Sequence, residues 1–405
     1  MNRQVRRLAD WDADSLHDAA EGFDTPLYAL DLGRVRENCR RMTATFPDAD
    51  VLYAAKANTL GRVLETVHDE GVGIECASAG EVRRALDAGV PATDVQYTAV
   101  NPPDVDLDSV VSMAASRPEL TVTAGARDTL DRLRERGYDG RLCLRVNPGV
   151  GAGHHEKVTT GADAKFGVPY DEAEEILASA ATDFDVVGIH AHAGSGISGD
   201  DLDAHRELVS RMGALVRASP VPLEFVDVGG GFGVPYRPDE GPLDLDAVAD
   251  ATREALGEVD ATLTVEPGRY LVADAGVLLT EINTVKPTVI GVDAGMTDLL
   301  RPAMYGAYHE LRSLAPDAAA RSTRTVTVTG PVCESGDVLA RERELPAPER
   351  RDLLAVGNAG AYGYEMASNY NTRPRPATVV RERGDGEWEL GRRRETVSDI
   401  TDLEA

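Results

Sequence analysis

The sequence predicts an α/β protein in which a TIM-type (β/α)8 barrel precedes an antiparallel β domain. Between residues 51 and 266, eight short runs rich in β-branched residues alternate with amphipathic helical patterns. After about Asp274, strand-like runs follow one another with few helical patterns between them. Eight alternations favour a closed barrel, although an open doubly wound sheet would give the same local pattern. The 405 residues suffice for both parts.

The boundaries follow from where these patterns change. Residues 33–274 are predicted to form the barrel, and residues 275–405 the β domain. Residues 1–32 form an N-terminal segment. Its strand-like run TPLYALDL, residues 25–32, is expected to join the β domain because it precedes the eight barrel units. The eight predicted barrel strands are residues 51–55, 72–78, 95–100, 120–125, 141–147, 186–193, 224–229 and 261–266.

The composition indicates an acidic protein of a reducing compartment. The 69 acidic and 42 basic residues give a formal net charge of −27, and only four of the basic residues are lysines. This charge repels nucleic acid and anionic membranes, so neither is expected as a partner. Many acids with little lysine suggest a salt-rich cytoplasm. The four cysteines lack paired spacing, and residues 1–23 lack the apolar core of a signal peptide, so a cytoplasmic protein without a metal site is expected.

Chemically distinctive residues fall where the predicted strands end, which is where barrels place their functional groups. Lys56 follows the first strand, His192 lies in the sixth, and Glu266 ends the eighth. The glycines of residues 229–231 follow the seventh strand. The sequence therefore predicts that a lysine, a histidine, an acid and a glycine-rich turn share one end of the barrel.

Two neighbouring loops could bind a phosphate. Gly229, Gly230 and Gly231 would expose backbone N–H groups at a strand-to-loop turn, and the next strand end, EPGR, adds Gly268 and Arg269. Glycines serve tight turns more often than they bind phosphate. The phosphate interpretation is favoured because both loops follow the last two strands, where barrels commonly bind phosphate.

Lys56 completes a constellation that suits pyridoxal 5′-phosphate. A partly desolvated lysine has a lowered pKa and can form a Schiff base with a carbonyl cofactor. Taken alone, a strand-end lysine is more often a surface residue. Beside a phosphate-binding turn, Lys56 would hold the aldehyde, Glu266 would hydrogen-bond the pyridine nitrogen, and His192 could stack on the ring.

Ten motifs run in order along the chain: YAAKAN, CASAGE, RVNP, KFG, HAHAGS, DVGGGFG, EPGRY, RPAMYGAYH, CESGD and NAGAYGYEMASNYN. With them, the chain from about Pro26 to about Pro376 resembles the fold-type III pyridoxal-phosphate-dependent decarboxylases, most closely those that act on diaminopimelate. The resemblance implies the alanine racemase-like and ornithine decarboxylase-like architecture. It also implies a homodimer whose active sites lie at the subunit interface. The chain departs from the family pattern at Glu75, Ala193 and Tyr270.

The resemblance also implies roles for individual residues. Lys56 is the cofactor-binding lysine, His192 the ring-stacking histidine, and Glu266 the partner of the pyridine nitrogen. The implied phosphate-binding residues are Ser195, Gly229, Gly230, Gly231, Gly268 and Arg269. The implied substrate-binding residues are Arg269, Arg301, Tyr305, Glu334 and Tyr362, of which Tyr362 also touches the cofactor. Cys333 and Glu334 are the pair contributed across the dimer interface.

The expected reaction converts meso-2,6-diaminopimelate to L-lysine and carbon dioxide, the last step of lysine biosynthesis. Glu266 would keep the pyridine nitrogen protonated, which favours decarboxylation over racemisation. Cys333 is a candidate proton donor, although most lone cysteines are small buried apolar residues. Arg301 could clamp the distal carboxylate, and Glu334 could meet the distal ammonium.

Three other functions are compatible with the same fold. A decarboxylase of ornithine, arginine or carboxynorspermidine in polyamine synthesis would need no arginine at position 301. A non-catalytic protein that binds the cofactor would be expected to lose Lys56 or Cys333. An amino-acid racemase would be expected to carry an arginine in place of Glu266.

Overall fold

The computed structural model describes residues 5–150, 166–192, 194, 197, 202–383 and 386–404. Their strands are β1 (Leu27–Asp31), β2 (Ala49–Ala54), β3 (Gly73–Cys76), β4 (Val95–Tyr97), β5 (Thr121–Ala124), β6 (Arg141–Asn147), β7 (Val168–Pro169), β8 (Asp185–His190), β9 (Phe225–Asp227), β10 (Thr262–Val265), β11 (Gly276–Val285), β12 (Val289–Val292), β13 (Leu311–Ser313), β14 (Thr323–Thr329), β15 (Val338–Pro346), β16 (Leu353–Val356), β17 (Ala377–Arg381) and β18 (Glu389–Arg392). Their helices are α1 (Ala13–Phe23), α2 (Leu32–Thr45), α3 (Gly61–Asp69), α4 (Ala79–Asp87), α5 (Asp104–Ala115), α6 (Arg127–Glu135), α7 (Ala173–Ala180), α8 (Asp203–Ala218), α9 (Leu245–Leu256), α10 (Arg269–Val272), α11 (Arg301–Tyr305) and α12 (Val397–Thr401).

The chain divides into two units. The barrel unit comprises Arg36–Gly233 and Leu243–Gly268. The β unit comprises Met1–Val35, Val234–Pro242 and Arg269–Ala405. Within the described part of the chain, no helix has both the length and the apolar character needed to span a bilayer.

The barrel unit is a closed ring of eight parallel strands, as predicted. The strand order is β2-β3-β4-β5-β6-β8-β9-β10, and β10 pairs with β2 to close the ring. This closing pair excludes the open doubly wound sheet. Strands such as β3 and β5 are buried along their whole length, because barrel strands pack side chains on both faces. Functional side chains are therefore left to the strand ends.

The β unit contains a sheet of nine described strands, and the predicted antiparallel arrangement is wrong in two places. The main strand order is β15-β14-β12-β11-β1-β17-β18, with β16 pairing β11 and β13. Strand β1 runs parallel to β17, and β12 runs parallel to β14, so the sheet is mixed. Strand direction here depends on connections between distant segments, which local patterns do not reveal.

Strand β1 lies in the middle of this sheet, and its two faces pack into two apolar clusters. It pairs with β11 on one side and β17 on the other. Leu27 and Ala29 point into one apolar cluster, which includes Leu16 of α1. Tyr28 points into a second cluster with Leu278. The alternation of side chains along a strand thus explains why all five residues of β1 are buried.

Three segments assigned to the barrel from the sequence cluster with the β unit, namely residues 33–35, 234–242 and 269–274. Hydrogen bonds explain the difference. The Arg7 guanidinium donates to the carbonyl oxygens of Arg237 and Glu240, and the Arg269 guanidinium donates to the Tyr236 hydroxyl. These contacts attach a loop between two barrel strands to the β unit.

His205 gives the barrel unit a pH-dependent stability. It lies on α8, and its Nε2 is 2.7 Å from Thr252 Oγ1 on α9. Burial lowers its pKa to about 4, with a smaller contribution from Arg206. The folded chain therefore leaves His205 neutral at a pH where the unfolded chain protonates it, and stability falls as the pH drops below the ordinary histidine pKa.

We expect His205→Gln to reduce this acid sensitivity. Between about pH 7 and about pH 5, the wild type should lose about 2 kcal/mol more stability than the variant. The glutamine amide can still donate to Thr252, so the helix contact is retained. Denaturant unfolding at both pH values measures the difference. Equal losses in the two proteins would show that His205 does not carry the effect.

Candidate active site

Lys56 lies directly after β2, in a single helical turn formed by Ala55–Ala57. Its Nζ donates to Glu75 Oε2 at 2.7 Å. The lysine side chain is 42% exposed, whereas that of Glu75, on β3, is 2% exposed. Burial raises the pKa of Glu75 to about 7, and the charge of Lys56 opposes that rise. The amine is therefore held at a strand end by an acid that titrates near neutrality.

Hydrogen bonds connect the Lys56 turn to the loop that follows β10. The backbone N–H of Ala54 donates to the carbonyl oxygen of Pro267 at 3.2 Å. The Tyr53 hydroxyl donates to the carbonyl oxygen of Asn58 at 2.9 Å. These bonds fix the backbone on both sides of Lys56 and link it to the EPGR loop.

The glycine-rich turn after β9 is possible only with glycines. Gly229 and Gly231 have φ values of 74° and 105°, in the left-handed region that disfavours side chains. A Cβ atom on Gly230 would lie 2.1 Å from the carbonyl oxygen of Glu266. The turn thus lies against the backbone of the neighbouring strand end. A side chain at any of these three positions would meet neighbouring atoms and displace the turn.

A buried polar cluster lies at the ends of β8, β9 and β10. The register pairs His190 with Asp227, and Glu266 follows β10. His190 Nε2 lies 3.3 Å from Glu266 Oε2, and Asp227 Oδ1 accepts from the Gly229 N–H at 2.8 Å. Ligand atoms of these three side chains lie within 4.8 Å of one another, a spacing that a metal ion could also use.

The three side chains of this cluster differ in their pKa shifts and therefore in their protonation. Burial and the neighbouring Glu266 raise the pKa of Asp227 well above its usual value. Burial alone would also raise the pKa of Glu266, but His190 and Lys56 outweigh it and hold that pKa below its usual range. Burial lowers the pKa of His190, so its ring is neutral and donates from Nε2. Glu266 is the ionised member, and Asp227 holds a proton.

His192 is also a neutral ring. Its Nδ1 accepts from the Gly230 N–H at 3.1 Å, which leaves the proton of the neutral ring on Nε2. Burial lowers its pKa to about 3, and the positive charge of Lys56 contributes. A neutral imidazole held by the glycine turn is suited to lie against a flat ring.

These groups fit pyridoxal phosphate. Glu266 Oε1 is buried and has no hydrogen-bond partner among the described residues, so it can accept from a protonated ring nitrogen. The N–H groups of Gly229 and Gly230 already bond Asp227 and His192, which leaves the backbone N–H of Gly231 for a phosphate. Lys56 supplies the amine for the aldehyde.

In the β unit, the buried Arg301 and the half-buried Arg269 share one tyrosine hydroxyl. Arg269 Nη1 and Arg301 Nη1 donate to Tyr236 Oη at 2.5 Å and 2.7 Å. Burial alone would raise the pKa of Tyr236, but the two guanidiniums outweigh it and lower that pKa. Arg269 also lies over the ring of Tyr362, at 4.8 Å from its centroid. Within the described part of the chain, neither guanidinium has an acidic partner within 4.0 Å, an arrangement suited to an anionic ligand.

The CESGD loop exposes Cys333 and Glu334, although the other three cysteines are buried. The backbone N–H of Cys333 donates to Asn371 Oδ1 at 3.0 Å. The buried carboxylate of Asp337 accepts from the N–H groups of Met296 and Val332, each at 2.6 Å. Cys333 is therefore not a small core residue. It lies at the surface, on a loop that the hydrogen bonds of Asp337 hold in place.

The predicted site residues fall into separate groups. Lys56, His192, Glu266 and the glycine turn belong to the barrel unit, as does the buried Gly268. The β-unit residues are Arg269, Arg301, Tyr305, Cys333, Glu334 and Tyr362. Ser195 and Ala193 lie outside the described residues.

Sequence reasoning missed Asp227, Tyr236 and His309. Asp227 directly precedes the glycine turn, a position that could have marked it. His309 ends the RPAMYGAYH motif, eight residues after its partner Arg301, so its position could also have marked it. Tyr236 carries no comparable signal, because its arginines are distant in sequence.

The fold and the barrel-unit groups define an enzyme class that uses pyridoxal phosphate. The pyridoxal binding domain of the pyridoxal-dependent decarboxylases matches residues 32–273. The chain belongs to this family, and its cofactor is pyridoxal 5′-phosphate.

Similar proteins narrow the class to diaminopimelate decarboxylases. The chain is 42% identical to the diaminopimelate decarboxylase of Methanothermobacter thermautotrophicus, over 94% of this chain and 92% of the relative. It is 35% identical to that of Aquifex aeolicus, over 96% and 93% of the two chains. The crystal structure of the diaminopimelate decarboxylase of Helicobacter pylori, complexed with L-lysine, superposes with a TM-score of 0.87. That structure is 31% identical, with 96% of this chain and 99% of that chain covered.

We expect Gly230→Ala to weaken cofactor binding by about tenfold or more, because the new Cβ would displace the turn from the Glu266 carbonyl. The retained cofactor is measured by absorbance after gel filtration against a range of free pyridoxal phosphate. Gly61→Ala is the matched control, since a Cβ there would meet nothing within 4 Å. Equal retention by the two variants, with wild-type circular dichroism, would show that the close approach has no role in binding.

Proposed function

We propose that this protein removes one carboxyl group of meso-2,6-diaminopimelate as carbon dioxide and leaves L-lysine. The proposal is supported by the diaminopimelate decarboxylases that the chain resembles over nearly its whole length. The observation that carries it is the pair Arg269 and Arg301, a half-buried and a buried guanidinium without an acidic partner in the described part of the chain. Diaminopimelate keeps a second carboxylate far from the reacting carbon, and such a pair suits it.

Residues of the barrel unit, together with Arg269, bind and polarise the cofactor. When bound, pyridoxal phosphate supplies a sink for the electron pair that departing carbon dioxide leaves behind. Lys56 holds the aldehyde, and the glycine turn with Gly268, Arg269 and Ser195 holds the phosphate. Glu266, ionised and buried, keeps the ring nitrogen protonated, which strengthens the sink. His192, neutral at its Gly230 contact, covers one face of the ring.

The remaining residues recognise the substrate and return a proton. Arg269, Arg301 and Tyr305 bind the distal carboxylate, and Tyr362 contacts both substrate and cofactor. Glu334 meets the distal ammonium. Cys333 donates the proton that replaces the lost carboxyl group, and its exposure is compatible with action on a site outside its own loop.

We further propose a cytoplasmic homodimer in which each active site receives Cys333 and Glu334 from the second subunit. The surface position of the CESGD loop supports the exchange. The three remaining cysteines are buried and unpaired, as suits a reducing compartment.

The reaction is tested by supplying meso-diaminopimelate, ornithine, arginine or carboxynorspermidine to the enzyme with pyridoxal phosphate in concentrated KCl. We expect lysine and carbon dioxide from diaminopimelate and turnover of no other compound. Activity on ornithine or arginine instead would assign the enzyme to polyamine synthesis.

We expect Arg301→Gln to raise KM for diaminopimelate by about a hundredfold, because a charge-assisted contact to a carboxylate is lost.

Shared active sites are tested by mixing two inactive variants, Lys56→Ala and Cys333→Ala. A heterodimer would contain one intact site, with the lysine from one subunit and the cysteine from the other. After subunit exchange, an equal mixture should recover about a quarter of wild-type activity. The control mixes Lys56→Ala with the double variant, which provides no intact site. No recovery after exchange has been verified by tagged subunits would refute the sharing of Cys333.

A further inference from the structure

Tyr236 occupies an unusual position between the two arginines of the β unit. Its hydroxyl oxygen accepts from Arg269 and from Arg301, and both guanidiniums also lie over its ring, at 5.6 Å and 5.0 Å from the centroid. The two cations are thus held close together in a half-buried place. Like charges repel there more strongly than in water, so an acceptor common to both is needed to keep them together.

His309 contacts Arg301 from another direction. Its Nδ1 lies 2.9 Å from the carbonyl oxygen of Gly357, so Nδ1 carries the proton and Nε2 is an acceptor. Arg301 Nη1 lies 3.3 Å from that Nε2. The ring edge of His309 also packs against Tyr236, with centroids 5.3 Å apart and planes at 81°. Tyr236, His309 and Arg301 therefore fix one another.

We propose that Tyr236 is a positioning residue that holds Arg269 and Arg301 together as one binding unit for the substrate's distal carboxylate. This inference rests on the proposed function, which assigns the two arginines to that carboxylate. Tyr236 acts through the arginines, by presenting one oxygen to both Nη1 atoms. Their remaining N–H groups are then set at fixed angles before the ligand arrives, and less side-chain entropy is lost on binding.

Tyr236→Phe separates this role from packing. The ring and its contacts with both guanidiniums are kept, and only the shared acceptor is lost. The arginines should then move apart, and ligands that carry the distal carboxylate should bind about tenfold more weakly. The kcat should change by less than about twofold, because the oxygen of Tyr236 has no assigned role at the reacting carbon.

The test measures L-lysine and cadaverine binding to the holoenzyme by titration calorimetry, together with KM and kcat for diaminopimelate. Lysine keeps the distal carboxylate, and cadaverine is the same diamine without it. The variants are Tyr236→Phe, Arg301→Gln and Tyr308→Phe. Tyr308 is the matched control, because its ring also lies against two arginines, Arg237 and Arg343, outside the proposed site.

The expected result is weaker lysine binding and higher KM for Tyr236→Phe, with cadaverine binding and kcat kept and Tyr308→Phe like the wild type. Unchanged lysine binding in Tyr236→Phe, with loss in Arg301→Gln, would overturn this inference and leave the proposed function standing. Unchanged lysine binding in Arg301→Gln would overturn both. Equal weakening of lysine and cadaverine in Tyr236→Phe would also overturn it, because the hydroxyl would then support the fold and not carboxylate recognition.

Discussion

The barrel-unit site depends on one ionised carboxylate, that of Glu266, in the protein interior. A buried charge costs several kcal/mol unless neighbouring groups compensate it. Here the N–H of His190 and the positive charge of Lys56 provide that compensation. One oxygen of Glu266 is left without a partner among the described residues. That oxygen can accept a further hydrogen bond, and a protonated pyridine nitrogen is the donor that the family's cofactor brings.

The geometry of three neighbouring strands fixes which of the two acids is charged. His190 and Asp227 end adjacent strands in register, and Glu266 follows the third. Two carboxyl groups within 4.8 Å of each other raise the pKa of one of the pair. Because His190 donates to Glu266, the charge stays on Glu266 and the proton on Asp227. The glycine turn contributes to the same arrangement, since Gly229 bonds Asp227 and Gly230 bonds His192. A displaced turn would therefore disturb the side chains of Asp227 and His192 together.

Much of the fold can be predicted from local sequence. The remaining features depend on contacts between distant segments. The strand predicted at residues 141–147 is the strand observed, and its five central residues are all buried. The parallel pairing of β1 with β17 joins the two ends of the chain, and no local pattern encodes it. Lys56 and Glu266 could be singled out because barrels place functional groups at strand ends. Tyr236 could not, since its partners Arg269 and Arg301 are 33 and 65 residues away.

In the proposed reaction, the arginine pair would both select one substrate and reject others. The distal end of diaminopimelate carries a carboxylate, which two fixed guanidiniums attract. Ornithine offers only an ammonium at that end, and a third positive charge beside two half-buried or buried guanidiniums would be repelled. The net charge of −27 cannot make this distinction, because a field spread over the surface is screened within about 8 to 10 Å. Substrate choice would therefore rest on a few buried atoms of the β unit and would be insensitive to the acidic surface.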